Sequence, residues 1–190
     1  MSNPLIRLNL GCGSQKLPGF INVDKFGEPD FKHDLEIFPW PWADSSVEVV
    51  YMSHVLEHLG RETDVYLQVM QELYRVCAAD AEVVIKVPHP RHNHYLSDPT
   101  HVRPIIPEGM ELFSKAKNRQ WMESGNANTT LGLFLDVDFE VISSNFVLDP
   151  AWDNPLKSGQ ISESDVFQAI HRFNNVVAEI HMVLKVVKSV

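Results

Sequence analysis

Leu8-Asn9-Leu10-Gly11-Cys12-Gly13-Ser14 is a short apolar run that ends in a Gly-x-Gly turn, and Asp24 follows the next apolar run, Phe20-Ile21-Asn22-Val23. The glycines let backbone approach a ligand, and a carboxylate at the tip of a second strand can hold a ribose diol. In a dinucleotide site a helix opens directly after the glycines, so that its N-terminus holds a pyrophosphate. Here Ser14-Gln15-Lys16-Leu17-Pro18-Gly19 follows, with no apolar period and a Pro-Gly turn signal. Eleven positions separate Gly13 from Asp24, against ~20 in the dinucleotide fingerprint. A ribose carboxylate without a full phosphate-cradling helix suits a nucleoside ligand that carries no phosphate.

Outward from this stretch, the spacing predicts strands over 5–10 and 20–24 and a short third segment ending at Asp34-Leu35. Residues 47–52 form the continuous apolar run of a buried parallel strand. A helix is expected over 61–77, with Val65, Val69, Leu73 and Val76 on one face. A second buried strand over 81–87 is stopped by Pro88 and Pro90. Alternating strands and helices imply parallel βαβ units. Beyond residue 90 the reading is a His- and Pro-rich loop to about 107, a helix over 108–117 and a strand over 140–148. A loop over 149–159, a helix opened by Ser162-Glu163-Ser164-Asp165 and a long last strand over 176–187 complete it, with a helix as the alternative for that last segment. Residues 1–190 read as one domain, without internal repeat or linker.

Composition bounds the function. Of 190 residues 44% are hydrophobic and 22% charged, as in a globular protein with a full core. No apolar run reaches the ~18 residues of a membrane span. The start of the chain has no signal-peptide layout, and two cysteines give neither a disulfide framework nor a zinc spacing. The expectation is a cytoplasmic protein without a membrane partner. A net charge of −9 argues against unaided binding to nucleic acid, whose affinity comes from neutralised phosphates. Lys115, Lys117 and Arg119, and Arg91 with Arg103, are the local exceptions, read as solvated surface or as contacts for an anionic substrate.

The ordered series LNLGCGS (8–14), INVD (21–24), HDL (33–35) and VEVVYMSHVLEHL (47–59), followed by ELYRVCAADAEVVIKVPHP (72–90), resembles the class I S-adenosylmethionine-dependent methyltransferases, in the branch with a minimal Rossmann-like fold and a Leu-Glu-His-Leu motif. The resemblance covers the first half of the chain. It implies an α/β fold with a mostly parallel seven-stranded sheet, an antiparallel last strand and helices on both faces. It implies S-adenosylmethionine as cofactor, with Leu10, Gly11, Cys12 and Gly13 along its methionine part, Asp24 on the ribose hydroxyls, and Asp34 and Leu35 at the adenine. Ser53 and His54, with Val55, would face the transferring methyl group. The turn before the fifth strand, usually Pro-Gly-Gly in this family, is Ala79-Asp80-Ala81 here. Plainer readings stand beside these: Asp24 as a solvated strand end, Cys12 as a small residue between glycines, Glu57 and His58 as the structural opening of a helix, and the tryptophans as packing, with Trp40 and Trp42 placed to edge an adenine pocket.

Methyl transfer from a sulfonium is an in-line displacement, in which the protein aligns the partners and excludes water. For a hydroxyl acceptor a general base helps, and histidine is the natural one. His89, His92, His94 and His101 lie within thirteen positions, after a strand whose carboxyl end belongs to the ligand edge. His89, His94, His101 and His54 are therefore the candidate bases, and Arg91 and Arg103 the candidate substrate contacts. The character of this loop resembles that of methyltransferases found beside glycan biosynthesis enzymes, which favours a small-molecule or saccharide-like hydroxyl acceptor. A metal held by His92, His94, His101 and Asp98 is the rival explanation of the loop, with no metal as the preferred reading. Methylation of nucleic acid or protein, and cofactor binding without catalysis in an interaction subunit, are the alternative functions. A nucleobase enzyme would carry an Asp/Asn/Ser-Pro-Pro-aromatic motif where Met52-Ser53-His54-Val55 stands.

Overall fold

The computed structural model describes residues 5–188. Seven strands form one sheet in the order β3-β2-β1-β4-β5-β7-β6: β1 Ile6–Leu10, β2 Ile21–Asp24, β3 Phe31–Lys32, β4 Val47–Ser53, β5 Cys77–Pro88, β6 Phe139–Leu148 and β7 Val177–Val186. The pairs β2–β3, β1–β2, β1–β4 and β4–β5 are parallel, and β7 runs antiparallel to both β5 and β6. This is the arrangement that the sequence resemblance implies. The last segment is a strand.

The order follows from burial. Leu8, Leu10, Val47, Val50, Met52, Val83, Ile85 and Val87 are buried, so β1, β4 and β5 occupy the middle of the sheet. The two residues of β3 are exposed and end it at one edge. The β4–β5 crossover is helix α1, Thr63–Val76, whose Tyr66, Val69, Met70, Leu73 and Val76 recur at helical spacing on one buried face. Arg75 of α1 bonds Glu72 and Asp44 and the carbonyls of Trp40 and Trp42, tying the proline-punctuated loop to the helix.

No helix intervenes between β1 and β2, as the Pro-Gly signal indicated. A polar network holds residues 11–20 instead. Asn9 donates to the Gln15 carbonyl (2.9 Å) and to the Asn22 side chain (2.8 Å), and Asn22 donates to Asp30 (2.6 Å). Asp30 also accepts from Lys16 at 2.9 Å, and these bonds lower its pKa to about 2.

β3 ends at Lys32, short of the Asp34-Leu35 end expected for the third segment, and three larger differences follow. β5 begins at Cys77, and its pairing with β4 slips between Val47 and Val49, so that 78–81 bulge out. Asp80 there has φ +62°, a left-handed geometry that Asp tolerates where the family pattern has glycine. The helix expected over 108–117 is two: α3, Pro107–Glu111, and α4, Lys115–Ser124, broken around buried Phe113 and restarted by Ser114 as N-cap. The loop expected over 149–159 contains a helix, Pro150–Lys157. It follows two short helices, α2 at Asn93–Leu96 and α5 at Leu131–Phe134, and so is α6. Asp149 caps α6, and Pro150 fits its first turn, where no amide donor is needed. Helix α7, Glu163–Arg172, opens with the Ser162/Asp165 capping box. Its Val166 and Ala169 pack with Trp152 and Leu156 of α6 in a small cluster of their own. Among the described residues no helix is long and apolar enough to cross a membrane.

Candidate active site

The parallel strands β1, β2, β4 and β5 all end at one edge of the sheet, the edge where open α/β folds take ligands. A cleft of about 200 Å³ lies there. Its lining comes from the ends of three strands and the segment after a fourth: Gly11, Asp24 to Phe26, His33 to Glu36, and His54 and Val55, closed by His58 and Leu59.

Gly11 has φ +66°, and a Cβ there would stand 2.4 Å from Cγ2 of Val55. Both facts require glycine. Gly13, at φ +50°, has nothing within 4 Å of the space its Cβ would fill, so its backbone is open to a ligand. Asp24 accepts from the Gly13 amide and from the Phe26 amide, each at 2.8 Å. It thereby shapes the glycine turn and faces the cleft with its remaining lone pairs. Leu10 and Cys12 are buried beneath the turn, the Cys12 amide bonding the Val23 carbonyl. Burial, then Asp24, raises the Cys12 thiol above its ordinary range, so it makes a poor nucleophile.

Asp34 accepts from the Glu36 amide at 3.1 Å and pairs with Lys25 at 3.3 Å, both partners partly exposed. Such a pair is weak in water and yields readily to a ligand. Glu36 accepts from the Gly60 amide at 2.7 Å, joining the two sides of the cleft. Lys25, Phe26, His33, Glu36, His58 and Leu59 are cleft residues that the motif reading missed. Several lie within two positions of a residue it did name, which was the available signal. Ser53, at the end of β4, pairs in register with Lys86 and does not line the cleft.

His54 leaves β4 with φ +56°, its amide bonded to the Lys86 carbonyl at 2.8 Å. Its ring stands between two carboxylates, Nδ1 3.6 Å from Glu57 and Nε2 3.3 Å from Glu179 of β7. Glu57 first, and then Glu179, raise its pKa against the opposing effect of burial. Glu179 also meets His181 at 2.6 Å.

No protein-family model matches the chain, and no curated protein matches it in sequence. Solved structures do match. A SAM-dependent methyltransferase from Archaeoglobus fulgidus superposes with a TM-score of 0.61 at 17% identity, covering 96% of this chain and 86% of that one. A SAM-dependent methyltransferase from Methanosarcina mazei gives 0.55 at 13%, covering 100% and 95%. The 1,6-didemethyltoxoflavin-N1-methyltransferase of Burkholderia thailandensis, solved with bound 1,6-didemethyltoxoflavin and S-adenosylhomocysteine, gives 0.53 at 10%, covering 97% and 72%. The fold is that of the class I S-adenosylmethionine-dependent methyltransferases.

Within that methyltransferase fold the histidine-loop residues are spread apart. His89 faces a second groove, edge-on to Phe146 with ring centroids 5.9 Å apart, and burial and the Arg91 charge lower its pKa. His92 is buried, its Nε2 bonded to Asp149 at 3.1 Å and its Nδ1 accepting the His94 amide. The His94 ring packs against it. His92, His94, His101 and Asp98 therefore do not gather into one ligand set. His101 lies instead against His58, with centroids 4.6 Å apart. Arg91 bonds Asn174 and the Ile170 carbonyl at the end of α7, and Arg103 bonds the Gly60 carbonyl and covers the Tyr66 ring at 4.3 Å. Both guanidinium groups are thus engaged with the protein itself. Trp40 and Trp42 are core residues in mutual edge contact and do not line the cleft, contrary to the adenine-edge expectation. Lys115 pairs with Asp136, and Lys117 with Glu111 at 3.3 Å, which neutralises most of that basic stretch.

Proposed function

We propose that the chain is an S-adenosylmethionine-dependent methyltransferase acting on a hydroxyl of a small-molecule or saccharide-like acceptor. The observation that carries the reading is the cleft itself: lined by Gly11, Asp24, Asp34 and Leu35, beside a glycine turn that Asp24 shapes through the Gly13 amide. These residues fit the cofactor that the fold implies. The glycine turn, with open backbone at Gly13, would take its amino-acid part, Asp24 the ribose hydroxyls, and Asp34 the exocyclic amine, once Lys25 moves aside. When bound, the cofactor supplies a methyl group already activated on a sulfonium.

What remains for the protein is alignment, exclusion of water and management of the acceptor's proton. His54 is the proposed base, on geometry: it borders the cleft beside Val55, and its side chain is 46% exposed. Glu57 and Glu179 flank the ring, at 3.6 Å from Nδ1 and 3.3 Å from Nε2. His89, His94 and His101 point to other surroundings and are not needed for that role.

The test is transfer of a labelled methyl group onto a panel of sugars, small hydroxyl compounds, nucleic acid and protein. The reading expects O-methyl product, with turnover in His54→Gln reduced by roughly 10²–10⁴-fold. Methylated nucleobase or protein, or cofactor binding with no transfer to any hydroxyl compound, would overturn it.

A further inference from the structure

Glu57 is the second residue of a 3₁₀ turn, Leu56–His58, and its side chain is 0% exposed. Neither carboxylate oxygen has a hydrogen-bond partner. The Glu57 carbonyl is well used, accepting from the amides of Val102 (2.9 Å) and Arg103 (3.3 Å), and this folds the segment around 101 over the turn. The carboxylate is not. No lysine or arginine among the described residues pairs with it, and His54 approaches only to 3.6 Å. A buried carboxylate in that condition is costly unless something positive meets it.

Two imidazoles do converge on it. One ligand atom from each of Glu57, His58 and His101 lies within 4.8 Å of the others. The hydrogen bonds around the two rings fix their tautomers. His101 Nδ1 lies 2.7 Å from the Tyr95 carbonyl, which only accepts, so Nδ1 carries the proton. His58 Nδ1 lies 2.9 Å from the Thr100 hydroxyl, whose own proton goes to Asp98 at 2.6 Å, so again Nδ1 donates. That leaves Nε2 of each ring without a hydrogen bond among the described residues, with the Asp98 carboxylate 3.8 Å from His101 Nε2. A ring nitrogen that donates to a carbonyl or hydroxyl while its other nitrogen stays free is how proteins prepare histidine to ligate. A buried carboxylate without hydrogen-bond partners and two imidazoles beside it make a ligand set.

We propose that Glu57, His58 and His101 bind a divalent transition ion (Mn²⁺, Fe²⁺, Co²⁺ or Zn²⁺) at the floor of the cleft. A two-histidine, one-carboxylate set suits these ions, and the hard ions Mg²⁺ and Ca²⁺ suit it less. Ligands about 2.1 Å from an ion at tetrahedral angles stand about 3.4 Å apart, so the three groups, within 4.8 Å of one another, have at most little more than about an ångström to close when it binds. His58 lines the cleft, so coordination positions left open there would be reached from it. Those positions would take oxygen atoms of the acceptor beside His54, a part of the inference that rests on the hydroxyl-methyltransferase reading above.

The probe is Co²⁺ alone, titrated into the full chain after chelation and followed by visible d–d absorption and by thermal unfolding. One equivalent should bind, produce d–d bands and raise the melting temperature. In His101→Asn and in His58→Asn the affinity should fall at least about 100-fold, with Zn²⁺ and Mn²⁺ showing the same loss. His101→Asn leaves the cleft lining in place, so retained binding of S-adenosylhomocysteine would certify that this variant is folded. Co²⁺ that fails to bind, or binds wild type and His101→Asn alike while S-adenosylhomocysteine binds both, would overturn the metal site alone. Co²⁺ bound as expected with no S-adenosylhomocysteine bound to wild type would overturn the cofactor reading and leave the metal site standing.

Discussion

Along the carboxyl edge of the sheet, the β1–β2 side presents mostly backbone, whereas the side beyond β4 presents mostly side chains. At the first, a positive φ at Gly11 and Gly13 and one carboxylate, Asp24, define the surface. At the second, residues 54–58 supply His54, Glu57 and His58, Glu179 and His101 join them from distant stretches, and a carbonyl and a hydroxyl orient His101 and His58. The first kind of site is written locally, because it needs small residues at fixed offsets. The second depends also on where β7 and the segment after β5 bring Glu179 and His101, which no local spacing states.

That contrast can be broken most forcefully at Gly11. Gly11→Ala should cost about 2–4 kcal/mol in denaturant unfolding, from forced left-handed backbone together with overlap at Val55. Gly13→Ala meets no neighbour, and only the backbone term of about 1 kcal/mol applies. Equal losses at the two glycines would contradict the account of the turn. A smaller change is expected on the other side. His92→Ala removes the buried bond to Asp149 and the acceptor for the His94 amide, a loss of about 1–3 kcal/mol in stability. Cofactor affinity should be unaltered, because His92 does not line the cleft; a matching fall in affinity would mean the two sides are one unit.

The smallest effect concerns acid. Asp30 is held at about 2, below its ordinary 3.8, first by the Lys16 bond and then by Asn22. A carboxylate lowered by folding contributes stability that is full above pH 3.8 and is lost as the pH falls through about 2. Unfolding curves of Asp30→Asn between pH 5 and 2 should therefore be flatter than those of the parent. An unchanged acid limb would remove Asp30 from the set of groups that hold the turn.

The same division explains what the amino-acid sequence disclosed. The missing helix after the glycines and the Gly11 and Asp24 positions were legible from offsets within a few residues, while the antiparallel last strand and the cleft positions Asp34, Leu35 and His54 came through the family resemblance. Helix α6 was not, since Pro150 and Pro155 within eight residues read as breakers, although one of them stands at the first helical position and Asp149 caps it. The break between α3 and α4 was hidden because Phe113 keeps the apolar pattern going while the backbone turns. In the histidine loop, residue type was informative and position was not. His92, which looked like a ligand, closes a structural bond, while Glu57, which looked structural, is the carboxylate left without a partner.

The central claim is that the cleft between Gly11, Asp24 and Asp34 takes the adenosine-bearing cofactor. Calorimetric titration of S-adenosylhomocysteine into the wild type and into Asp24→Ala tests it most directly. The account predicts one site per chain in the wild type and an affinity weakened by about 1–3 kcal/mol in the variant, which loses the carboxylate on the ribose and the support of the Gly13 amide. No heat of binding in the folded wild type, or equal affinity in both proteins, would contradict it.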